Sequence, residues 1–185
     1  MSIFNRLFKL FRHDDPEDFS YIVKIAGLIS DNEPYVIEQL TECAEDPWGY
    51  GEEREERYLE RGISVAGEDT TNAREICWIG MVDELAEHGF VAGVDYKCEL
   101  SDFLWSLKQL KNYSLIADTV QKLELSESDS VEAWGEKINS APENKAFVCM
   151  IDIDSDSYEI IIAAADVYEK ISGIARANGH IIDSF

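Results

Sequence analysis

Apolar residues recur every three or four positions through most of residues 19–138, which predicts a series of amphipathic helices. Prolines mark some of the boundaries. Pro34 is placed to open one helix, and Asp46-Pro47 to end it, because the residue before a proline avoids the helical conformation. The apolar positions behind these predicted helices are Phe19, Ile22, Ile29, Ile37, Leu40, Ile76, Ile79, Val82, Leu85, Phe103, Leu107, Val131, Trp134 and Ile138.

Polar and glycine residues predict further helix ends. Asn72 is placed to cap a longer helix, and Gly89 to stop it. Residues 114–123 are predicted to be helical. Asp166 with Glu169 has the capping-box pattern of a final helix.

The period of the apolar pattern changes from about 3.6 to 2 near residue 145, which predicts β-strands. Strands are expected over Lys145–Ile153 and Tyr158–Ala164, with others over 90–100 and at the end of the chain. Helices and strands are thus segregated along the sequence. This predicts an α+β fold, predominantly helical, with a small antiparallel sheet formed mainly by the C-terminal third.

The chain has 185 residues, of which 45% are apolar, a composition typical of one globular domain. We expect that domain to span 15–185, preceded by a basic amphipathic segment over 1–14. Residues 1–13 contain three basic and no acidic residues. This segment is predicted to be flexible or to dock on acidic protein surface. Contact with an anionic membrane is the less favoured alternative, because so short an anchor binds weakly.

The net charge narrows the classes of partner. Thirty-eight acidic residues against 16 basic ones give −22 at pH 7. Phosphate groups would be repelled, so we expect no nucleic-acid binding. A basic protein, a metal ion or a polyamine would be attracted. The favoured interpretation of the charge alone is that the acidic surface keeps a cytoplasmic protein soluble.

The four cysteines are too far apart in sequence for a zinc ribbon or a CxxC motif. No apolar stretch approaches the roughly 20 residues that cross a bilayer, and no export signal is recognised. We therefore expect reduced thiols in a cytoplasmic protein.

The stretch FVCMIDIDSDSYEII places Asp152, Asp154 and Asp156 at alternate positions after an apolar run. An EF-hand is rejected because serine and alanine replace the glycine and glutamate that its loop requires. A phosphotransferase loop is rejected because Asp156 stands where threonine or valine is needed. Two interpretations stay open. The favoured one is the polar tip of a hairpin, and the other is a site for a divalent cation such as Mg²⁺ or Mn²⁺.

The segment PWGYGEEREERYLERGI combines aromatic and acidic residues. Residues 48–51 are predicted to form a loop, and 52–61 a charged helix with a supportive Glu53–Arg57 pair. Exposed aromatic residues beside carboxylates would suit a cationic protein partner, although one indole could instead pin the loop to the core. Trp78 and Trp105 are predicted to be buried. The candidate partner-binding residues are Trp48, Tyr50, Glu52, Glu53, Glu55 and Glu56.

Three stretches carry a resemblance to a known family: CWIGMVDEL over Cys77–Leu85, DYKCELSDFLWSLKQLKNYSLI over Asp95–Ile116, and VCMIDIDSDSYEIII over Val148–Ile162. They resemble an uncharacterised bacterial family, domain of unknown function family 6630, over most of residues 17–185. The resemblance implies a small soluble bacterial protein. It implies no activity and no catalytic residues.

Three hypotheses about function follow. The first is a non-enzymatic interaction protein that binds a basic partner, comparable to the acidic immunity proteins that block basic toxins. The second is a metal-dependent enzyme that uses Asp152, Asp154 and Asp156. The third is a membrane-peripheral protein acting through residues 1–13. No other cofactor is predicted.

Overall fold

The computed structural model describes residues 18–65, 70–142 and 144–185, so the predicted N-terminal segment lies outside the described residues. Within these ranges nine α-helices and one 3₁₀ helix accompany four strands. The α-helices are α1 Ser20–Ser30, α2 Pro34–Glu45, α3 Pro47–Glu52, α4 Glu55–Leu59, α5 Thr70–Glu87, α6 Leu100–Gln109, α7 Ala117–Lys122, α8 Val131–Asn139 and α9 Ala165–Ala177. The 3₁₀ helix is Lys111–Leu115, and the strands are β1 Ala92–Asp95, β2 Ala146–Ile151, β3 Ser157–Ala164 and β4 Ile182–Ser184.

The strands form one antiparallel sheet in the order β1-β3-β2-β4. The central strands pair in register from Ala146 opposite Ala164 to Ile151 opposite Glu159. Both central strands are apolar on two faces, as expected for strands that helices cover on both sides. The predicted α+β class with a small antiparallel sheet is confirmed.

Two apolar cores lie on opposite faces of this sheet. Ile161 and Ala163 of β3 face a core built with α1, α2, α5 and α9. Ile160 and Ile162 face a second core, which α6 and α8 close with Phe103, Trp134 and other apolar residues. The alternation along β3 therefore fixes which helices belong to which layer.

The segment around Trp48 departs from its prediction. Residues 48–51 were expected as a loop, and they lie inside α3. The cause is Asp46, whose Oδ1 accepts a hydrogen bond at 3.1 Å from the Gly49 N–H, while Pro47 occupies the first helical position. The charged helix expected over 52–61 shrinks to α4.

Other boundaries also shift. Asn72 does not cap α5, because that helix begins at Thr70; its side chain donates to the Ser64 carbonyl at 3.2 Å instead. Asp166 lies in the first turn of α9 and pairs with Lys170 at 3.1 Å, so the predicted capping box is wrong. Residues 114–123 divide between the 3₁₀ helix and α7.

The predicted stop at Gly89 is confirmed. Its φ of +73° is the left-handed conformation that glycine adopts without strain. The Phe90 N–H donates to the Leu85 carbonyl at 2.8 Å, and the Phe90 ring is buried. Within the described ranges, no helix has the combination of length and apolar character that a membrane crossing requires.

Candidate functional site

The arginines of the EEREERYLER segment all point inward, toward α5. Arg54, Arg57 and Arg61 are spaced three and four residues apart, which places them on one side of a helical path. Arg61 binds Asp83 through two hydrogen bonds of 2.9 and 3.0 Å. Arg57 contacts Glu87 and lies 3.9 Å from a Glu84 oxygen. The positive charges of this segment are therefore paired with carboxylates of the same molecule.

Glu84 is the buried centre of this arrangement, with 2% of its surface exposed. The Tyr50 hydroxyl donates to its Oε1 at 2.6 Å, and Arg54 Nε lies 3.7 Å from the same oxygen. The Arg54 guanidinium also sits 3.9 Å from the centre of the Tyr50 ring and donates to Gln39 at 2.6 Å. Burial, with the hydrogen bond to Glu84, raises the pKa of Tyr50, so its hydroxyl stays a donor.

Tyr50 therefore cannot be an exposed anchor for a partner, and that prediction is wrong. The residue is 4% exposed because its hydroxyl satisfies a buried carboxylate. Trp48 is half-buried and packs against the same core, as in the alternative interpretation of an indole that pins this segment. Trp78 is buried as predicted, whereas Trp105 is 63% exposed on α6, so its predicted burial is wrong.

The glutamates of the same segment point outward. We define the acidic outer face as Glu52, Glu53, Glu55, Glu56 and Glu60, all of which are exposed. Among the described residues the only ion pair of this face joins Glu53 to Arg54 at 3.4 Å, so the predicted Glu53–Arg57 pair does not form. Leu59, 55% exposed, lies on the helix surface between members of the face.

The aspartate turn, residues 152–157, is held by its own side chains. Asp152 Oδ1 accepts a hydrogen bond at 2.9 Å from the Asp154 N–H, and Ser155 Oγ accepts one at 3.3 Å from the Ser157 N–H. Asp154 has a φ of +56°, a conformation that Asp and Asn tolerate better than most residues. These contacts confirm the hairpin-tip interpretation.

The carboxylates of this turn do not assemble a three-ligand metal site. Across the described ranges, no group of three or more His, Cys, Asp or Glu side chains is placed to hold a metal ion. Asp152, Asp154 and Asp156 are exposed, and two of them line a cleft instead.

This cleft has a volume of about 610 Å³ and lies between α5, the aspartate turn and the connection from α9 to β4. Its side walls carry charged groups from Arg61, Arg74, Glu75, Asp152 and Asp154. Its apolar surface comes from Ile63, Trp78, Ile79, Ile153 and Ile181. A concave, mostly apolar surface with a few polar groups is the usual form of a binding site.

An aromatic stack supports the inner end of the cleft. The His180 and Trp78 rings are nearly parallel, with centroids 4.0 Å apart. The Tyr21 hydroxyl lies 2.9 Å from His180 Nε2, and Trp78 Nε1 donates to the Asp152 carbonyl at 2.7 Å. The stack therefore ties the aspartate turn to α5 and α1.

Glu159 lies between the aspartate turn and Arg61. It is half-buried on β3, and its carboxylate accepts a hydrogen bond from the Ser157 hydroxyl at 3.3 Å. Burial raises the pKa of Glu159, while Ser157 and the Arg61 charge oppose that shift.

Two of the cysteines lack the lowered pKa of an activated nucleophile. Burial raises the pKa of the Cys149 thiol. It also raises the pKa of Cys98, which is only partly buried. Cys43 and Cys77 are buried thiols whose sulfur atoms lie 3.9 Å apart.

Sequence reasoning missed Glu84, Trp78 and His180 as members of these sites. A usable signal existed for Glu84, since the arginine spacing in 54–61 matches an acidic face formed by residues 83, 84 and 87 of α5. The aromatic stack has no such local signal, because its members come from three distant parts of the chain.

Comparison with known proteins gives one relationship. No curated protein and no solved structure matches the chain. The sequence profile of a family described as a domain of unknown function, DUF6630, matches residues 22–185. The chain therefore belongs to the DUF6630 family.

Proposed function

We propose that this protein binds a basic protein partner through the acidic outer face. The observation that carries the proposal is the separation of charge within one segment. Its three arginines pair with carboxylates of α5, while its glutamates face solvent. A segment of mixed charge in sequence is thus strongly acidic on its outside.

Electrostatics would bring the partner to this face. The net charge of −22 attracts a cationic protein over a distance, and the outer carboxylates give the attraction a local target. Because most of these carboxylates have no ion pair within the described residues, a partner's lysines or arginines would not have to displace an internal cation.

An apolar contact accompanies the charges. Leu59 is 55% exposed and lies one turn after Glu55 and Glu56 on the surface of α4. Specific interfaces combine a buried apolar centre with a polar rim, and this arrangement has both parts on a small scale.

The rigid support behind the face favours recognition without rearrangement. Arg54, Arg57 and Arg61 fix α4 and its flanks against α5 through several ion pairs. A surface that is already ordered loses less conformational entropy when it binds.

The test compares two variants with equal loss of charge. One carries Gln at Glu52, Glu53, Glu55 and Glu56; the matched control carries Gln at four exposed glutamates elsewhere, Glu124, Glu127, Glu136 and Glu169. Immobilised wild-type and variant chains are presented with lysate of the native host at low salt, and retained proteins are quantified by mass spectrometry.

We expect the wild type and the control to retain the same basic protein, and the outer-face variant to retain about tenfold less. Rising salt should release that partner. Equal loss in both variants would show attraction by net charge alone and would overturn the proposal. Recovery of no basic protein by the wild type would do the same.

A further inference from the structure

The cleft lies directly beside the acidic outer face. Arg61 directly follows Glu60 of that face in sequence and lines the cleft. A partner seated on the outer face is therefore within reach of the cleft. The inference below rests on the proposed function and assigns the cleft a part in it.

The charges of the cleft favour a cation. Asp152, Asp154 and Glu75 have no ion pair with any described residue. The Arg61 guanidinium is already bound at both ends to Asp83, which cancels its charge locally. Among the described residues that line the cleft, Asp152, Asp154 and Glu75 contribute three negative charges, against one positive charge from Arg74.

The apolar part of the cleft favours a long aliphatic stem. Ile153 and Ile181 stand at the aspartate turn and at the start of β4, and Ile181 is 48% exposed. Ile63 and Ile79 contribute buried surface behind them. A ligand that covers Ile181 would remove apolar area from water and gain free energy.

Asp152 is held in position before any ligand arrives, and Asp154 follows it in the same turn. The hydrogen bond from the Asp154 N–H to Asp152 Oδ1 fixes the first carboxylate, and the indole of Trp78 holds the Asp152 carbonyl from behind. Carboxylates with a fixed orientation suit a planar donor group more than a diffuse charge.

We infer that the cleft receives an arginine side chain of the basic partner. The methylene groups would lie along the isoleucines, and the guanidinium would meet Asp152 and Asp154. Five N–H donors in one plane allow a guanidinium to serve two carboxylates at once, which an ammonium group does less well. The volume of about 610 Å³ also leaves room for backbone on either side of that arginine.

The test uses the full chain and two blocked tripeptides, acetyl-Gly-Arg-Gly-amide and its citrulline counterpart. Citrulline keeps the shape of arginine but has no charge. Binding is followed by the nuclear magnetic resonance signal of the Trp78 indole N–H, which Trp78→Phe identifies and which reports on the Asp152 carbonyl.

We expect the arginine peptide to shift this signal to saturation, and the citrulline peptide to bind at least about fivefold more weakly. The double variant Asp152→Asn with Asp154→Asn should weaken arginine binding about tenfold, because it removes both charges while asparagine preserves the turn. A second variant, Ile181→Ser, alters a side chain that is 48% exposed and should weaken binding several-fold.

Three results would overturn the inference. They are equal affinity for the two peptides, unchanged affinity of the double aspartate variant, and shifts confined to signals outside the cleft. The variant with Gln at Glu52, Glu53, Glu55 and Glu56 should still bind the arginine peptide within about twofold. If no basic protein is recovered from lysate but the peptide binds in this way, the proposed function fails, and only the affinity of the cleft for an arginine side chain is established.

Discussion

Two stretches of the chain have similar densities of carboxylates and entirely different structures. In residues 52–61 the acidic residues alternate with three arginines, and in residues 152–157 they alternate with serines. The arginines reach across to α5 and leave the glutamates outside. The serines and aspartates bond to their own backbone and close a turn.

The comparison shows that the residues between the carboxylates decide what an acidic run becomes. A long cationic side chain can pair with a carboxylate far away in sequence, so it ties the run to another element. A short hydroxyl or carboxylate side chain can reach only nearby backbone groups, so it fixes local conformation. The first kind of run depends on tertiary structure for its shape, and the second kind does not.

The largest expected effect concerns residues 52–61, whose structure depends on tertiary contacts. Glu84→Ala should lower the free energy of unfolding by about 3 kcal/mol, because it leaves Arg54, Arg57 and the Tyr50 hydroxyl beside an empty buried space. Chemical denaturation monitored by circular dichroism measures the change. The acidic outer face should lose order in the same variant, since its support is gone.

Glu87→Ala is the matched control for that change. It removes the same charge from the same helix, but the Glu87 side chain is 49% exposed and its pair with Arg57 is open to water. The expected cost is below about 1 kcal/mol. Equal costs for the two substitutions would show that the buried cluster is not what holds the segment.

Features that depend on local contacts could be predicted from the sequence, whereas features that depend on tertiary contacts could not. The helices with clear apolar periods, the stop at Gly89 and the change of period near residue 145 were predictable, because each depends on neighbouring residues. The turn chemistry of Asp152 and Asp154 was predictable for the same reason.

Tyr50 shows why the rest was not predictable. Two glycines beside it indicate a loop, yet Asp46-Pro47 both ends α2 and starts α3. Its burial depends on Glu84, 34 residues later, which no local pattern shows. The cleft is even harder to predict from the sequence, because α5, the aspartate turn and His180 come together only in the folded protein.

An intermediate effect is expected at the aspartate turn, whose structure depends on local contacts. Asp152→Ala should destabilise the fold by about 1 kcal/mol, since the Asp154 N–H loses its acceptor. Asp152→Asn should cost less than about 0.5 kcal/mol, because the amide oxygen can replace the carboxylate oxygen in the turn. Thermal unfolding of both variants separates the two contributions. A cost for Asn as large as that for Ala would mean that charge, not the turn, stabilises this hairpin.

The smallest effect concerns Glu159, which joins the two stretches through Ser157 and Arg61. Burial raises the pKa of this carboxyl above its value of 4.5 in the unfolded chain. The folded protein therefore binds a proton more readily than the unfolded chain, so the contribution of Glu159 to stability is complete below about pH 4.5 and is lost as pH rises through the folded pKa. Glu159→Gln, which does not titrate, should consequently gain stability relative to the wild type as pH rises from about 4 to 7. Paired denaturation curves at the two pH values measure that gain. A gain in the opposite direction would mean that the Arg61 charge, and not burial, controls this carboxyl.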